Sequence, residues 1–504
     1  MKQTVQPDRS SNQLSDQCKN IFDADLHHKY LFFRRTKVIA TIGPASSSPR
    51  MLREMILNGL NVVRINFSHG SPDDHLRLIQ TIRKVSADLR MPVAILGDLC
   101  GPKIRVGKFR DNAVLLKENS TVVITTASVT GDEKLIPCQY RSIVSDVSVG
   151  DQILLDDGNL ELKVKGKSGG NVQARVICGG TLKNNKGMNL PDTKMNIPAL
   201  TAKDRKDVLY CIEGQVDYIA LSFVRSPEDI LDLKNILRRR KADIAVIAKI
   251  EKPEALQNIQ AILDVADGIM IARGDLGVEL PAKKVPFIQN KLIEACIRNN
   301  KPVIVATQML ESMIEHSRPT RAEVTDVAAA CLAGADAVML SAETASGKYP
   351  LEALQMMDSI LRETEAHQFF TRGGLFRERI SRTDNLVQSA VSSAISQLSR
   401  DLMVRCIIIS NHTGSSALTV SSDRPAAPIL ALMSSDKALR RLQLIWGVFP
   451  HQVNEKFDAD DSFVFAENIM KKLKLADKGD FMLLVSGPNR KKVITNSIAV
   501  YQIT

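Results

Sequence analysis

The sequence predicts an α/β protein: a (β/α)8 TIM barrel with an inserted all-β lid domain and a C-terminal α/β domain. Three observations lead there. Eight short apolar runs recur along the chain, most of them followed by apolar residues at helical spacing. More than a hundred residues of different texture separate the third run from the fourth. The pattern changes again after about residue 370.

The eight runs are "KVIATIG" (37–43), "VVRINFS" (62–68), "VAILGDL" (93–99), "YIALSFV" (218–224), "AVIAKIE" (245–251), "GIMIARG" (268–274), "VIVATQM" (303–309) and "AVMLSAE" (337–343). Eight strands joined by helical crossovers imply a closed parallel barrel rather than an open sheet. The insertion, roughly Pro102 to Asn196, carries β-like runs such as "TVVITT", "QILLDDG" and "NVQARVI", separated by Gly, Asp and Asn. Further on, "RCIIIS", "PILALMS", "GVFPHQV", "FMLLVSG" and "SIAVYQI" alternate with amphipathic helices, the pattern of a separate α/β domain. The expected boundaries are an N-terminal extension at 1–34, the barrel at 35–101 and 197–365, an inserted β-barrel lid at 102–196, and the last domain at 380–504.

Composition narrows the class. With 44% hydrophobic and 24% charged residues, the chain is that of an ordinary globular protein. No apolar run approaches the ~20 residues of a membrane span, and the polar N-terminus lacks a secretory pattern. A cytoplasmic protein is expected. The eight cysteines are scattered without a CxxC pair, which argues against a zinc site or a disulfide framework. Lys and Arg exceed Asp and Glu by 67 − 56 = 11. Aromatics at 4% and the lack of a recognised motif argue against nucleic acid. "LRRRK" (237–241) reads as a solvated helix face.

One strand raises a specific question. In "AVIAKIEKPEA" an ammonium, Lys249, and a carboxylate, Glu251, interrupt a run that suits a buried strand. Residues two apart share a face, so these charges point together, opposite Val246, Ala248 and Ile250. At the C-terminal end of a barrel strand the inward direction becomes the open mouth, where active sites lie. Other strands agree: Arg64, Asn66 and Ser68 end the second, Asp98 the third, Arg273, Gly274 and Asp275 the sixth, Thr307 the seventh, and Ser341 with Glu343 the eighth. One polar strand end is often only a structural hydrogen bond; six at one rim make a site.

Its chemistry follows from the residue types. Glu251 and Asp275 offer hard oxygen ligands for Mg²⁺ or Mn²⁺. Arg64, Arg105 and Lys249 suit phosphoryl oxygens. The Gly274–Gly277 amides could hold a carboxylate. Together these suggest phosphoryl transfer, which needs positioning and charge neutralisation. There is no GxxxxGK[ST] loop and no HRD/DFG set.

At this point the chain resembles the pyruvate kinase family. The resemblance rests on "RRTKVIATIGPAS", "NVVRINFSHG", "GDLCGPKIR", "NNKGMNLP", "AKIEKPEAL", "MIARGDLGVELP", "ATQMLESM", "RPTRAEVTDVA" and "DAVMLSAETASGKYP", and covers about residues 34 to 360. It implies the transfer of phosphoryl from phosphoenolpyruvate to ADP, giving pyruvate and ATP, with divalent ions. By position, Lys249 looks like the group facing the phosphoryl in transit, and Glu251 and Asp275 like the Mg²⁺ ligands. Arg64 would grip the substrate phosphate; Gly274, Asp275 and Thr307 would hold its carboxylate. Thr307, Ser341 and Glu343 would protonate the enolate through a water-linked network. Asn66, His69, Arg105 and Lys186 would face the ADP phosphates. A homotetramer is implied, with 318–328 near a subunit contact.

One departure is informative. Many members carry Thr-Lys after the Asp of "GDL" and Glu after Gly-Pro, and need K⁺. Here the stretch is Asp98-Leu99-Cys100-Gly101-Pro102-Lys103, with Val106 after the Arg. Leu99 has no hydroxyl for an ion, and Lys103 brings its own charge near Asn66, Ser68 and Asp98. This resembles the K⁺-independent branch. "SNHTGSS" (410–416) corresponds to the family's effector-phosphate loop, where Thr413, Gly414 and Ser416 fit a phosphate. Ser415 replaces a basic residue of that loop, which favours AMP or a sugar monophosphate as effector. Two alternatives are another phosphoenolpyruvate-using barrel enzyme and a non-catalytic sensor of phosphorylated metabolites.

Overall fold

The computed structural model describes residues 34–193, 195, 197–372, 386–410, 414–453, 459–486 and 497–504. All eight expected runs become strands of one closed parallel barrel: 37–41, 62–66, 94–98, 218–221, 245–250, 268–272, 303–306 and 337–340. They follow chain order round the ring, and strand 37–41 closes it between 62–66 and 337–340. Strands such as Gly268–Ala272 and Val303–Ala306 are buried at every residue, because a parallel sheet is covered on both faces. Helix starts are written locally. Ser71 and Asp74 form a capping box with Pro72 in the first turn, and Thr201 with Asp204 does the same further on.

The insertion packs around its own core, which includes Val122, Ile124, Leu162, Val164, Val172 and Ala174. Its strands form a six-stranded mixed sheet and a separate two-stranded ribbon, 113–116 with 180–183. The segment 104–107 runs between the two edges of the six-stranded sheet: the Val106 N–H donates to Lys186 O at 3.0 Å and the Gly107 N–H to Pro137 O at 2.8 Å. The sheet's edge strands are short, 188–189 and 135–137, and isolated bridges pair Arg105 with Gly187 beside the first and Val106 with Cys138 beside the second. The two connections to the barrel are anchored. Gly101 has φ +67°, and its N–H donates to Asp204 Oδ1 at 3.2 Å. The Arg225 guanidinium donates to the carbonyls of Met195, at 2.7 Å, and Ile197.

The C-terminal domain is a five-stranded sheet in the order 448–452, 429–433, 406–410, 481–486, 497–502, parallel except for the last strand. Apolar clusters cover both faces. The chain divides into two compact units. One comprises residues up to Lys37, Val324–Asp336 and Gln355–Thr504; the other comprises Val38–Glu323 and Ala337–Leu354. Among the described residues no helix is long and apolar enough to cross a membrane.

Lys37, in the first of these units, is a buried ammonium. It donates to Val448 O at 2.6 Å and sits 4.4 Å from the Phe449 ring centre. Burial pulls it down to about 7; Arg34 adds to this, and Glu365 and Asp336 oppose it. Between about 7 and the ordinary 10.5 the unfolded chain then binds more protons than the folded one, so stability rises with pH across that window. Lys37→Met should stabilise the protein at about pH 7 by roughly 1–2 kcal/mol, because removing the buried charge outweighs one lost hydrogen bond. It should also flatten the rise of apparent Tm toward about pH 9. Calorimetry in which variant and parent keep the same pH slope would refute this.

Candidate active site

The second strand ends at Asn66 and the third at Asp98, directly opposite each other in register. Arg64 Nε donates to Asp98 Oδ2 at 2.7 Å, and Arg64 Nη1 to Thr41 Oγ1 at 2.9 Å. Lys249, near the end of the fifth strand, reaches Asp98 Oδ1 at 3.3 Å and Glu251 Oε1 at 2.9 Å. The two charges of "AKIE" therefore share one face and meet a third charge from another strand. That arrangement answers the desolvation problem: each buried ion has a counter-ion within contact distance.

The electrostatics follow the geometry. Burial alone would lower the Lys249 ammonium, but the Asp98 and Glu251 carboxylates outweigh it and hold it above the ordinary lysine value. Burial alone would raise Asp98, but Lys249 and Arg64 outweigh that and keep it low. Glu251 lies above the usual carboxylate range, chiefly from burial, with Asp275 adding and Lys249 opposing. Glu251 is 1% exposed, and Lys249 at 2.9 Å offsets only part of the cost of burying its charge.

One pocket brings together Arg64, Asn66, Ser68, His69, Asp98 and Lys103 with Arg105, Lys249, Glu251 and Asp275. Lys103 Nζ stands 3.9 Å from Asp275 Oδ1. Gly274 and Thr307 form an adjoining cluster, joined to this pocket through Asp275 on the short helix Arg273–Glu279. The Gly274 N–H donates to Thr307 Oγ1 at 2.7 Å, and that hydroxyl donates to Ala306 O. Thr307 and Gln308 both have positive φ, +70° and +53°. Such backbone costs about 1–3 kcal/mol each and persists where the surroundings impose it. Here the Arg273 guanidinium imposes it, donating to Thr307 O at 2.7 Å and Gln308 O at 3.0 Å. Glu343, 2% exposed, accepts from the N–H groups of Ser341 (2.6 Å) and Leu310 (3.2 Å). The buried Ser341 hydroxyl has no hydrogen-bond partner among the described residues.

Lys186 does not join the pocket lining. Its ammonium pairs with Asp156 at 2.7 Å within the inserted domain. In the C-terminal unit, Gly414 adopts φ +79° ahead of the helix Ser415–Ser422, and Ser416 is buried. Thr413 lies outside the described residues.

Two residues that sequence reasoning passed over stand at the centre. Ser222 Oγ accepts from Lys249 Nζ at 2.8 Å and donates to Leu99 O at 2.7 Å. The Phe223 N–H donates to Glu251 Oε2 at 2.8 Å. A serine ending the apolar run "YIALS" was a legible signal; the left-handed φ of +56° at Phe223 was not.

A divalent ion fits the donors present. Glu251 and Asp275 face one pocket and act electrostatically on each other, and their oxygens are the hard donors Mg²⁺ prefers. Among the described residues no group of three or more His, Cys, Asp and Glu is placed to hold a metal. A two-carboxylate ion that completes its shell with substrate and water is consistent with that.

Comparison with known proteins points the same way. The family profile "Pyruvate kinase, barrel domain" matches residues 33–354, and "Pyruvate kinase, alpha/beta domain" matches 389–501. The pyruvate kinase of Staphylococcus epidermidis is 40% identical over 473 residues, covering 93% of this chain and 80% of the relative. That of Geobacillus stearothermophilus is 42% identical over 475 residues, 94% and 81%. Pyruvate kinase 2 of Synechocystis is 44% identical over 458 residues, 90% and 76%. Both profiles together span most of the chain, and the matched segments contain the barrel rim where Lys249, Asp98 and Glu251 meet. The chain belongs to the pyruvate kinase family.

Proposed function

We propose that the protein transfers the phosphoryl group of phosphoenolpyruvate to ADP, giving pyruvate and ATP. The observation that carries this reading is Lys249. It is a partly buried ammonium in contact with Asp98 and Glu251, beside Arg64, in a pocket that also holds Asp275.

In this reading the substrate phosphate is gripped by Arg64, whose guanidinium is already oriented by Asp98 and Thr41. The bond from phosphorus to the enol oxygen breaks as a β-phosphate oxygen of ADP takes the phosphoryl. Lys249 faces the charge spread over the transferring oxygens, a preorganised contact of the kind that dominates phosphoryl transfer. Glu251 and Asp275 would hold Mg²⁺, or Mn²⁺, which when bound neutralises phosphoryl charge. Gly274, Asp275 and Thr307 hold the substrate carboxylate, and the Thr307 hydroxyl with Ser341 and Glu343 delivers a proton to the enolate methylene carbon. Asn66, His69 and Arg105 face the ADP phosphates. Lys186 could join them by exchanging its pair with Asp156.

The same reading holds that K⁺ is not required and that the protein works as a cytoplasmic homotetramer. It also places a phosphorylated effector, AMP or a sugar monophosphate, at the loop containing Thr413, Gly414 and Ser416. A lactate-dehydrogenase-coupled assay tests the core of it: pyruvate should appear only with phosphoenolpyruvate, ADP and Mg²⁺ or Mn²⁺ together. The same assay with AMP and with hexose and pentose monophosphates tests the effector, and light scattering tests the tetramer. No pyruvate at saturating substrates and metal would overturn the proposal.

A further inference from the structure

Two consecutive residues after the fourth barrel strand, Tyr218–Leu221, touch both charged groups of "AKIE". The Ser222 hydroxyl accepts from Lys249 Nζ at 2.8 Å, and the Phe223 N–H donates to Glu251 Oε2 at 2.8 Å. Ser222 is 2% exposed and Phe223 9%. At so low an exposure, these hydrogen bonds act in a low-dielectric surrounding where they are stronger than in water.

The corner is also tied to the segment that leads into the lid. Ser222 Oγ donates to Leu99 O at 2.7 Å. Two residues on, Gly101 passes directly over the corner. A Cβ at position 101 would stand 2.7 Å from Phe223 Cδ2 and 2.9 Å from Ser222 Cβ. Glycine is thus required there twice over, by that approach and by its φ of +67°. Phe223 itself adopts φ +56°, a conformation unfavourable for a bulky residue, and it is in that conformation that its N–H meets Glu251.

A serine hydroxyl has one proton and accepts through its lone pairs. Its single proton is committed to Leu99 O, so its lone pair is left to face Lys249. Through this polarity the hydroxyl fixes the ammonium on the side away from Leu99, toward Asp98 and Glu251. A residue offering only bulk at position 222 would leave the position of Lys249 set by Asp98 and Glu251 alone.

We infer that the Ser222–Phe223 corner is a positioning element that holds Lys249 and Glu251 in a set mutual geometry and couples that geometry to the lid connection at Leu99–Gly101. The inference rests on the proposed phosphoryl-transfer role of Lys249. Ser222 and Phe223 line the same pocket; the hydroxyl acts through Lys249, and the Phe223 N–H acts through Glu251.

The test uses the full-length protein with Ser222→Ala. Turnover should fall about 30-fold, near 2 kcal/mol at 1.36 kcal/mol per tenfold. The KM for phosphoenolpyruvate should stay within about threefold. Mn²⁺ binding, read by electron paramagnetic resonance without substrates, should be unchanged, because the Phe223 N–H still holds Glu251. Proton exchange at the methyl group of pyruvate should persist. Ser222→Cys fills similar space with a weak donor and acceptor, and should lose about tenfold; it decides the matter if the alanine variant does not fold. Turnover within twofold of the parent in either folded variant would overturn the inference. So would a parallel loss of turnover, Mn²⁺ binding and exchange, which marks a general collapse rather than a misplaced lysine. An inactive parent would instead overturn the phosphoryl-transfer reading.

Discussion

Lys249→Met is expected to lower turnover by about a thousandfold or more while proton exchange at the methyl group of pyruvate remains measurable. The side chain lost is a partly buried ammonium, with contacts to Asp98, Glu251 and Ser222. Preorganised contacts to transition-state charge are worth roughly 3–4 kcal/mol each in a water-poor site, and a thousandfold is about 4 kcal/mol. Exchange should survive because the proposed proton donor, Thr307, belongs to the adjoining cluster with Gly274 and not to the Lys249 network. Mn²⁺ should still bind, since Met removes a cation that competes for Glu251. Stability should fall too, because breaking a buried ion pair costs about 3–5 kcal/mol when the partner charge stays behind. Circular dichroism must therefore accompany the kinetics. A folded variant that kept more than a tenth of its turnover would show that Lys249 is not the group facing the phosphoryl.

The second large effect concerns Lys103. The parent should run at near-full rate with K⁺ replaced by tetramethylammonium at matched ionic strength. Lys103→Glu should lose about a hundredfold without K⁺, roughly 2.7 kcal/mol, and recover much of it when K⁺ is added. Lys103 lines the same pocket as Asn66, Ser68 and Asp98, and its ammonium lies 3.9 Å from Asp275. Its side chain is about a third exposed, so the effect has to come from charge placed beside the substrate rather than from a buried ion pair. A compact ammonium on a flexible stem can supply there what a bound cation would, and Leu99 offers no hydroxyl to hold one. A parent stimulated a hundredfold by K⁺ would overturn this argument.

Much of the architecture was legible without coordinates. Hydrophobic periodicity is a local property, so the eight barrel runs and the five C-terminal runs could be read as strands directly. Parity is local too, which is why Lys249 and Glu251 could be placed on one face, and strand ends such as Arg64 and Asp98 at one rim. How the edges of the inserted sheet meet was not legible, because the short segment 104–107 that bonds to both lies far along the chain from each of them.

The pairings among the rim residues were decided by tertiary structure alone. Sequence spacing could put Asp98 and Lys249 on the same rim, but only the closed ring sets their carboxylate and ammonium 3.3 Å apart. Lys186 shows the converse: its motif points to the nucleotide, while the fold gives it Asp156 as a nearer counter-charge. Ser222 and Phe223 matter through a corner whose left-handed backbone is imposed by what packs on it, Gly101 above and Glu251 beside. Periodicity and parity are short-range consequences of chain geometry, and a sequence carries them openly. Which charge meets which is a long-range consequence of closing the barrel, where each buried ion takes the partner that best offsets its lost hydration, and that selection is made only in the folded state.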